Sequence, residues 1–495
     1  MSRDTTTHTL VLDIGKTNKK IVIFDQTGSV VHIEKRDFQE VLRHGLRIEP
    51  MKRITEWFFS RLKMLAKDYP IATINVSAHA AAFVLVDSDG TPLAPVLSYL
   101  NEPAPDVFAK LKDIVGDPED LYRNTCTPRL RQSVNLAIGF MNAQHYFPSV
   151  VANATSVVCL PHYFVMLLTS KRVAELTYLG CHTYLWDFAC WRWSALAERI
   201  GYAALSPHIV PTTTDTMRVP PDTSATLHLD RTMTVMPGIH DSNASLVPYM
   251  MEYGRAFCLH STGSWCVTMM PSLDTKLSKK EMTSSVFYNI DVTGRPVKTH
   301  TYPAGIILNR ELERLPAEYR GEYELAVLSR IIRERKVFFL PSHDERNPTV
   351  VLENQRLDPD NYLSLVNSGD GSARIAAVTY HALVVAGLSC AICTDLIGFD
   401  LSGIEHIFVD GGFKQNRYYL AVFAAFFSDK KVYTSSVEEA TAFGAALVRH
   451  GGSEVSGSIL SRVKKRFAES LFLDAALLES YRTQWCVCAP PRTTR

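Results

Sequence analysis

The sequence predicts an α/β protein built as two related lobes with a cleft between them. Two observations predict it. A strand, a turn of small residues and further strands or helices recur in both halves of the chain, first from Leu10 and again from Ala256. No short-period repeat of the solenoid kind accompanies that recurrence. Composition agrees: 495 residues, 46% apolar and 21% charged, are ordinary for a globular chain and exclude wholesale disorder.

Each element follows from local pattern. Leu10 to Leu12 and Ile21 to Phe24 are apolar runs separated by Asp13-Ile14-Gly15-Lys16-Thr17-Asn18, two strands around a tight turn. The turn at Asp25 to Gly28 leads to a third strand over Val30 to Glu34, which completes a meander. Trp57, Phe58, Leu62 and Leu65 have helical spacing within 54–66, and Ile71 to Ser77 reads as a strand. Phe83 to Val86 before Asp87-Ser88-Asp89-Gly90 suggests another hairpin. Helices are expected over 133–144 and 161–168, the latter opening on Pro161. Thr- and Pro-rich 211–231 reads as loop. In the second half, strands are expected over 256–260, 337–340 and 406–409, and a long apolar helix over 376–396. Ser436 with Glu439 three residues on marks a helix start, and 459–471 reads as helix. The expected division is 1–245, 246–455 and a helical extension over 456–495.

Charge and cysteines narrow the class. A net charge of +1 gives no global field for nucleic acid or an anionic membrane. Ten cysteines in so long a chain do not make a disulfide scaffold; Cys390 and Cys393 lie in an apolar run, as core residues or as a metal or redox pair. The polar segment 1–8 lacks the apolar stretch of a signal peptide, and no unbroken apolar span appears, so a cytoplasmic address with no membrane partner is expected.

Four turns carry chemistry. Gly15-Lys16-Thr17 invites a P-loop reading, but Leu10 stands where that loop needs glycine, and a strand follows where it needs a helix. The remaining readings are a surface hairpin or one that offers amides, hydroxyls and amines to phosphate, with Asp13 at its mouth for Mg²⁺. Ser261-Thr262-Gly263-Ser264 is either an ordinary turn or a second close approach to phosphate. Gly411-Gly412-Phe413-Lys414-Gln415-Asn416 would let a flat ligand lie on backbone. In Gly238-Ile239-His240-Asp241-Ser242-Asn243, Asp241 is either a helix cap or a base for a hydroxyl nucleophile.

The order of these turns resembles the actin-like ATPase superfamily and, more narrowly, the FGGY carbohydrate kinases, over roughly 10–452. Leu12 to Asn18, Gly238 to Asn243 and Leu179-Gly180-Cys181-His182-Thr183-Tyr184-Leu185-Trp186-Asp187 resemble the fuculokinase and rhamnulokinase branch. The resemblance implies two ribonuclease-H-like lobes closing on ATP, Mg²⁺ and a ketose, such as L-fuculose or L-rhamnulose, phosphorylated on its 1-OH. Asp241 then matches the catalytic base and Asp13 the position beside Mg²⁺. Lys16, Thr17, Asn18 and Lys20 match the first phosphate hairpin, although many members carry Thr at the place of Lys16. Thr262 and Gly263 match the second phosphate turn, and Gly411, Gly412 and Asn416 the adenosine site. His79, Asn101, Glu102 and His240 fall at substrate positions, with Tyr99 in place of the family's Trp. Two rivals stand beside this: an actin- or chaperone-like ATPase module, and a sugar sensor without turnover. The oligomeric state, a homodimer included, stays open.

Overall fold

The computed structural model describes residues 7–214, 217–227, 233–342, 348–368, 372–396, 399–435, 437–450, 465–466 and 473–489. His8–Ile14, Asn18–Phe24 and Val30–Asp37 form the expected antiparallel meander. The helix Met51–Asp68 then buries Ile54, Trp57, Phe58, Leu62 and Leu65 along one face, the stripe read from their spacing. It leads to Ile71–Ala78, which pairs parallel with His8–Ile14. Thr234–Val235 and Ile239–His240 add parallel on the far side of Ile71–Ala78. The two central strands are buried nearly throughout because both faces are covered, although Thr73, Asn75 and Ser77 put polar groups along the second.

The second sheet repeats the plan. Phe257–Thr262 pairs antiparallel with Cys266–Pro271, which pairs antiparallel with Pro296–Tyr302. His406–Gly411 lies parallel on the other side of Phe257–Thr262, and Lys431–Thr434 lies parallel beyond it. In each sheet, therefore, the first strand lies between the second and the fourth, and the third and fifth lie outside. The long helix Ala373–Leu396 has the length and hydropathy of a membrane span, but its side chains are buried in the core of this lobe. Cys390 and Cys393 are fully buried there, and burial pushes both thiols well above their ordinary range, as suits core residues.

The lobes meet along two helices. Asp241–Tyr253 follows the last strand of the first sheet, and Ala440–Leu447 follows Lys431–Thr434 of the second. They approach so closely that a Cβ on Gly444 would fall 1.8 Å from the carbonyl oxygen of Ala244. Asn75 Nδ2 donates to the Ala445 carbonyl at 2.8 Å, which ties the first sheet to the second helix. One apolar cluster runs through this junction, with Val11, Phe24, Ile239 and Ala244 from one side and Leu259, Phe408, Ala442 and Phe443 from the other.

Several local expectations are corrected. The segment 211–231 contains the strand Met217–Arg218 and the helix Pro221–Leu227, with 215–216 and 228–231 outside the described residues. Phe83–Val86 folds back across the Asp87–Gly90 turn as expected, through the antiparallel bridge of Val86 with Pro92 and the Leu93 amide donating to the Leu85 carbonyl at 2.9 Å, but its longer ladder is with Ser156–Cys159, 70 residues on. Ser436 lies outside the described residues, and the helix there starts only at Ala440, after Glu439 in a left-handed conformation. Of 459–471 only Lys465–Arg466 is described, and it is a strand; the C-terminal helix is Ala475–Cys488, capped by Asp474.

Candidate active site

Sheet register gathers the candidate residues at one end of the first lobe. Asp13 lies beside Ser77, and Ser77 beside Ile239; one step on, Ile14 lies beside Ala78 and Ala78 beside His240. At about 4.8 Å between strands, the positions that follow are about 10 Å apart across three strands. Asp13 is the penultimate residue of the first of them, and Asp241 starts the helix that leaves the third. Ser77 Oγ donates to Asp13 Oδ1 at 2.6 Å. Burial raises the Asp13 pKa to about 6, with the Asp241 charge adding and Lys20 opposing.

Asp241 is more than a cap. Its Oδ1 accepts from the Ser242 amide at 2.6 Å and lies 3.2 Å from His240 Nε2. Its side chain is 29% exposed, so a small molecule in the crevice reaches it. Burial raises its pKa, with His79 the main opposing charge, which makes the carboxylate a stronger base than one in water. His240 is held by Asn243, with His240 Nδ1 and Asn243 Nδ2 2.9 Å apart, and burial lowers its pKa to about 4.

His79 is buried with Nδ1 2.9 Å from the Ala80 carbonyl, and its Nε2 has no partner. A buried nitrogen left unpaired is costly. A sugar hydroxyl at that atom would remove the cost. Tyr99 packs edge-on against this ring at 5.5 Å.

Three expected site residues are placed otherwise. Lys16 does not offer its amine to the phosphate side: Nζ is bonded to Glu40 and Glu49, donates to Ser98 Oγ at 2.8 Å and sits 4.6 Å over the Tyr99 ring. Asn101 spends its amide on backbone, accepting from the Arg47 amide and donating to the Arg47 and Ser98 carbonyls, each at 2.8 Å. It pins a loop, with both Nδ2 donors spent on backbone. Glu102 is exposed, because the chain turns outward after Asn101.

The hairpin itself presents exposed Thr17 and Asn18 at its tip. Lys20 reaches Glu439 at the start of the helix Ala440–Leu447, and Lys35 joins the same carboxylate at 2.9 Å. Glu439 thus ties the first hairpin to the opposite lobe.

In the second lobe, Thr262 lies beside Gly411 in the parallel register. Thr262 Oγ1 donates to the Asp410 carbonyl and accepts from the Phe413 amide at 2.9 Å, so its hydroxyl locks the Gly411-Gly412 turn rather than pointing outward. Gly411 has φ +81, and a Cβ there would lie 1.7 Å from the Thr262 carbonyl oxygen. Gly412 has open space within 4 Å of its Cβ position, a bare surface for a flat ring. Gly263 donates its amide to the Trp265 carbonyl at 3.0 Å, and its own carbonyl packs on Gly305, where a Cβ would come within 1.9 Å. Asn416 caps Arg417–Phe426 by accepting from the Tyr419 amide at 3.0 Å, and its Nδ2 lies 3.4 Å from His381 Nε2. It shapes the turn instead of leaving its amide free.

The donors suit Mg²⁺ brought in with a nucleotide. Among the described residues no cluster of three or more His, Cys, Asp or Glu could cage a metal alone. Asp13 is an oxygen donor whose buried charge lacks a full counter-ion, and hard cations of this type keep waters and phosphate oxygens as their other ligands.

Sequence reasoning missed Ser77, Glu439, Asp410, Gly305 and Gly444. The last is legible as a glycine inside the apolar helix Ala440–Leu447, a sign of close helix approach.

Comparison with known proteins identifies the family and the fold. Residues 8–248 match the N-terminal domain of the FGGY family of carbohydrate kinases, and residues 254–456 match the carbohydrate kinase FGGY C-terminal domain. The rhamnulokinase of Oceanobacillus iheyensis is 21% identical over 280 residues, 52% of this chain and 54% of that protein, so the chain spans about half the length of that relative. Among solved structures, a carbohydrate kinase from Novosphingobium aromaticivorans superposes with a TM-score of 0.79 at 23% identity, covering 98% of each chain. A ligand-bound xylulose kinase from Lactobacillus acidophilus follows with 0.78 at 15% identity, covering 97% of each. With both domains matched in order along nearly the whole chain, the protein belongs to the FGGY family of carbohydrate kinases.

Proposed function

We propose that the chain transfers the γ-phosphoryl group of ATP to the 1-OH of a ketose such as L-fuculose or L-rhamnulose. The observation that carries this reading is the reach of Asp241: a partly exposed carboxylate with a raised pKa, on the same crevice as Asp13 and the unpaired Nε2 of His79. The rhamnulokinase and xylulose kinase names of two similar proteins point the same way. Residues 1–245 hold the sugar and the base, residues 246–455 hold the adenosine, and 456–495 extend the second lobe. The cytoplasm, where ATP is at hand, is the matching address.

Asp241 accepts a hydrogen bond from the sugar hydroxyl and aligns its oxygen with the γ-phosphorus. The oxygen–phosphorus bond forms as the bond to the β–γ bridging oxygen breaks, and ADP leaves. The hydroxyl proton passes to Asp241 late in the step, because a loose transition state needs little deprotonation beforehand. Thr17, Asn18 and Lys20 face the β- and γ-phosphates, with the Thr262-Gly263 turn opposite and the Gly411-Gly412 turn under adenosine. Asp13 would hold Mg²⁺, which when bound neutralises phosphate charge. Lobe closure excludes water from this path.

The test is ADP release across a panel of L-fuculose, L-rhamnulose, D-ribulose and D-xylulose. Sugar-dependent turnover with at least one of them is expected. ATP turnover indifferent to every ketose would instead mark an actin- or chaperone-like ATPase module. Sugar binding without turnover would mark a silent sugar binder.

A further inference from the structure

A third imidazole stands in the sugar wall, beyond His79 and His240. His182 lies between the short helix Leu176–Leu179 and the strand Trp186–Asp187. Its ring centroid is 5.9 Å from that of His240 and 5.8 Å from that of Phe287, which belongs to the second sheet. The backbone that carries it is fixed. Asn135 Nδ2 donates to the His182 carbonyl at 3.1 Å, and the Ala137 amide donates to the Thr183 carbonyl at 3.0 Å. Gly180, two residues earlier, is pressed against the second lobe so tightly that a Cβ would fall 2.3 Å from Ile290 Cδ1.

The backbone is pinned while the ring stays available. The His182 side chain is half-buried, its ring meets those of His240 and Phe287 edge-on, and the Asn135 bond falls on its carbonyl rather than on the ring. Burial and the neighbouring His240 lower its pKa to about 3, so the ring offers one donor and one acceptor. His240 touches Asp241 through Nε2, and His182 stands one ring further from the base. That is the place of a hydroxyl remote from the one that reacts.

We propose that His182 contacts a distal hydroxyl of the ketose and determines which sugar is accepted, with Phe287 of the opposite lobe closing over the same ring. The inference rests on the kinase reading and adds a specificity residue to it. A site built to hydrogen-bond a hydroxyl rejects sugars that lack or misplace it, because its polar group is then left unpaired.

The experiment compares wild type, His182→Ala and His182→Gln on the four-ketose panel, with thermal midpoints measured alongside. Ketose binding is followed by calorimetry in the presence of a non-hydrolysable ATP analogue. The expected result is a rise in ketose KM of about tenfold or more for His182→Ala, with kcat and the ATP KM within about twofold. His182→Gln, which can still hydrogen-bond, recovers much of the loss. An unchanged ketose KM, or equal losses in both KM values together with a lower thermal midpoint, overturns the assignment. If wild type binds a ketose but never turns it over, the kinase reading fails, and the ketose Kd of the two variants still decides the role of His182. If wild type binds none of the four, both fail.

Discussion

The charge of Asp241 raises the pKa of Asp13 from two strands away. Two carboxylates in one partly desolvated crevice favour protonation of one of them until a cation arrives. Asp13 has a folded pKa of about 6 against an ordinary 3.8. Between those values the folded chain binds the proton and the unfolded chain does not, so this group removes stability as pH rises through that window. About two pH units at ~1.4 kcal/mol each amount to about 3 kcal/mol at pH 7.5. Asp13→Asn is therefore expected to stabilise the nucleotide-free protein by up to about 3 kcal/mol at pH 7.5 and by nothing near pH 4, while it abolishes turnover. Urea unfolding of both proteins at the two pH values measures this, and equal stability at pH 7.5 would remove the shift.

Asp241→Asn keeps the shape and the Ser242 contact but loses the base. Phosphorylation should fall by about 10²–10⁴-fold, with nucleotide affinity retained. A coupled ADP-release assay and calorimetry with ADP read the two quantities separately. A rate near wild type would take Asp241 out of the mechanism.

Gly411 and Gly412 should behave differently although they are neighbours. Gly411→Ala puts a Cβ on a left-handed backbone and into the Thr262 carbonyl, which costs about 3 kcal/mol or more. Gly412→Ala meets nothing in the protein, so its thermal midpoint should hold while the ATP KM rises severalfold. Differential scanning fluorimetry with ATP titrations distinguishes them; a fall in midpoint for Gly412→Ala contradicts the open surface there.

Lys16→Thr removes the amine shared by Glu40 and Glu49, and only Glu40 keeps a second cation, Arg47 at 3.5 Å. Glu49 is buried, and removing its partner should destabilise the fold by about 2–4 kcal/mol. Glu49→Gln in the same background should recover part of that loss. If Lys16→Thr raises only the ATP KM, with stability unchanged, then the amine serves phosphate after all.

Strand ends and glycine turns were legible in the sequence because they are set locally. Asp13 follows the apolar run Leu10 to Leu12, and the Asp410-Gly411 turn follows Ile407 to Val409, so each run fixes where the chain emerges from the sheet. The direction of long or amide side chains was not legible. Lys16 and Asn101 sit where sequence placed them, yet tertiary partners 33 and 54 residues away decide where their polar atoms go. The same holds for Thr262, whose hydroxyl is claimed by a strand 148 residues on. Glu439, a solvated-looking charge in the sequence, became an interlobe tie only when the second lobe packed against the first.

The apolar cluster at the junction makes the two halves unable to part company. Val11 and Phe24 are covered by the same packing that covers Phe408 and Phe443, so a chain cut between them would wet both halves at once. The seam is therefore a piece of core shared by both lobes, and separating them would expose it.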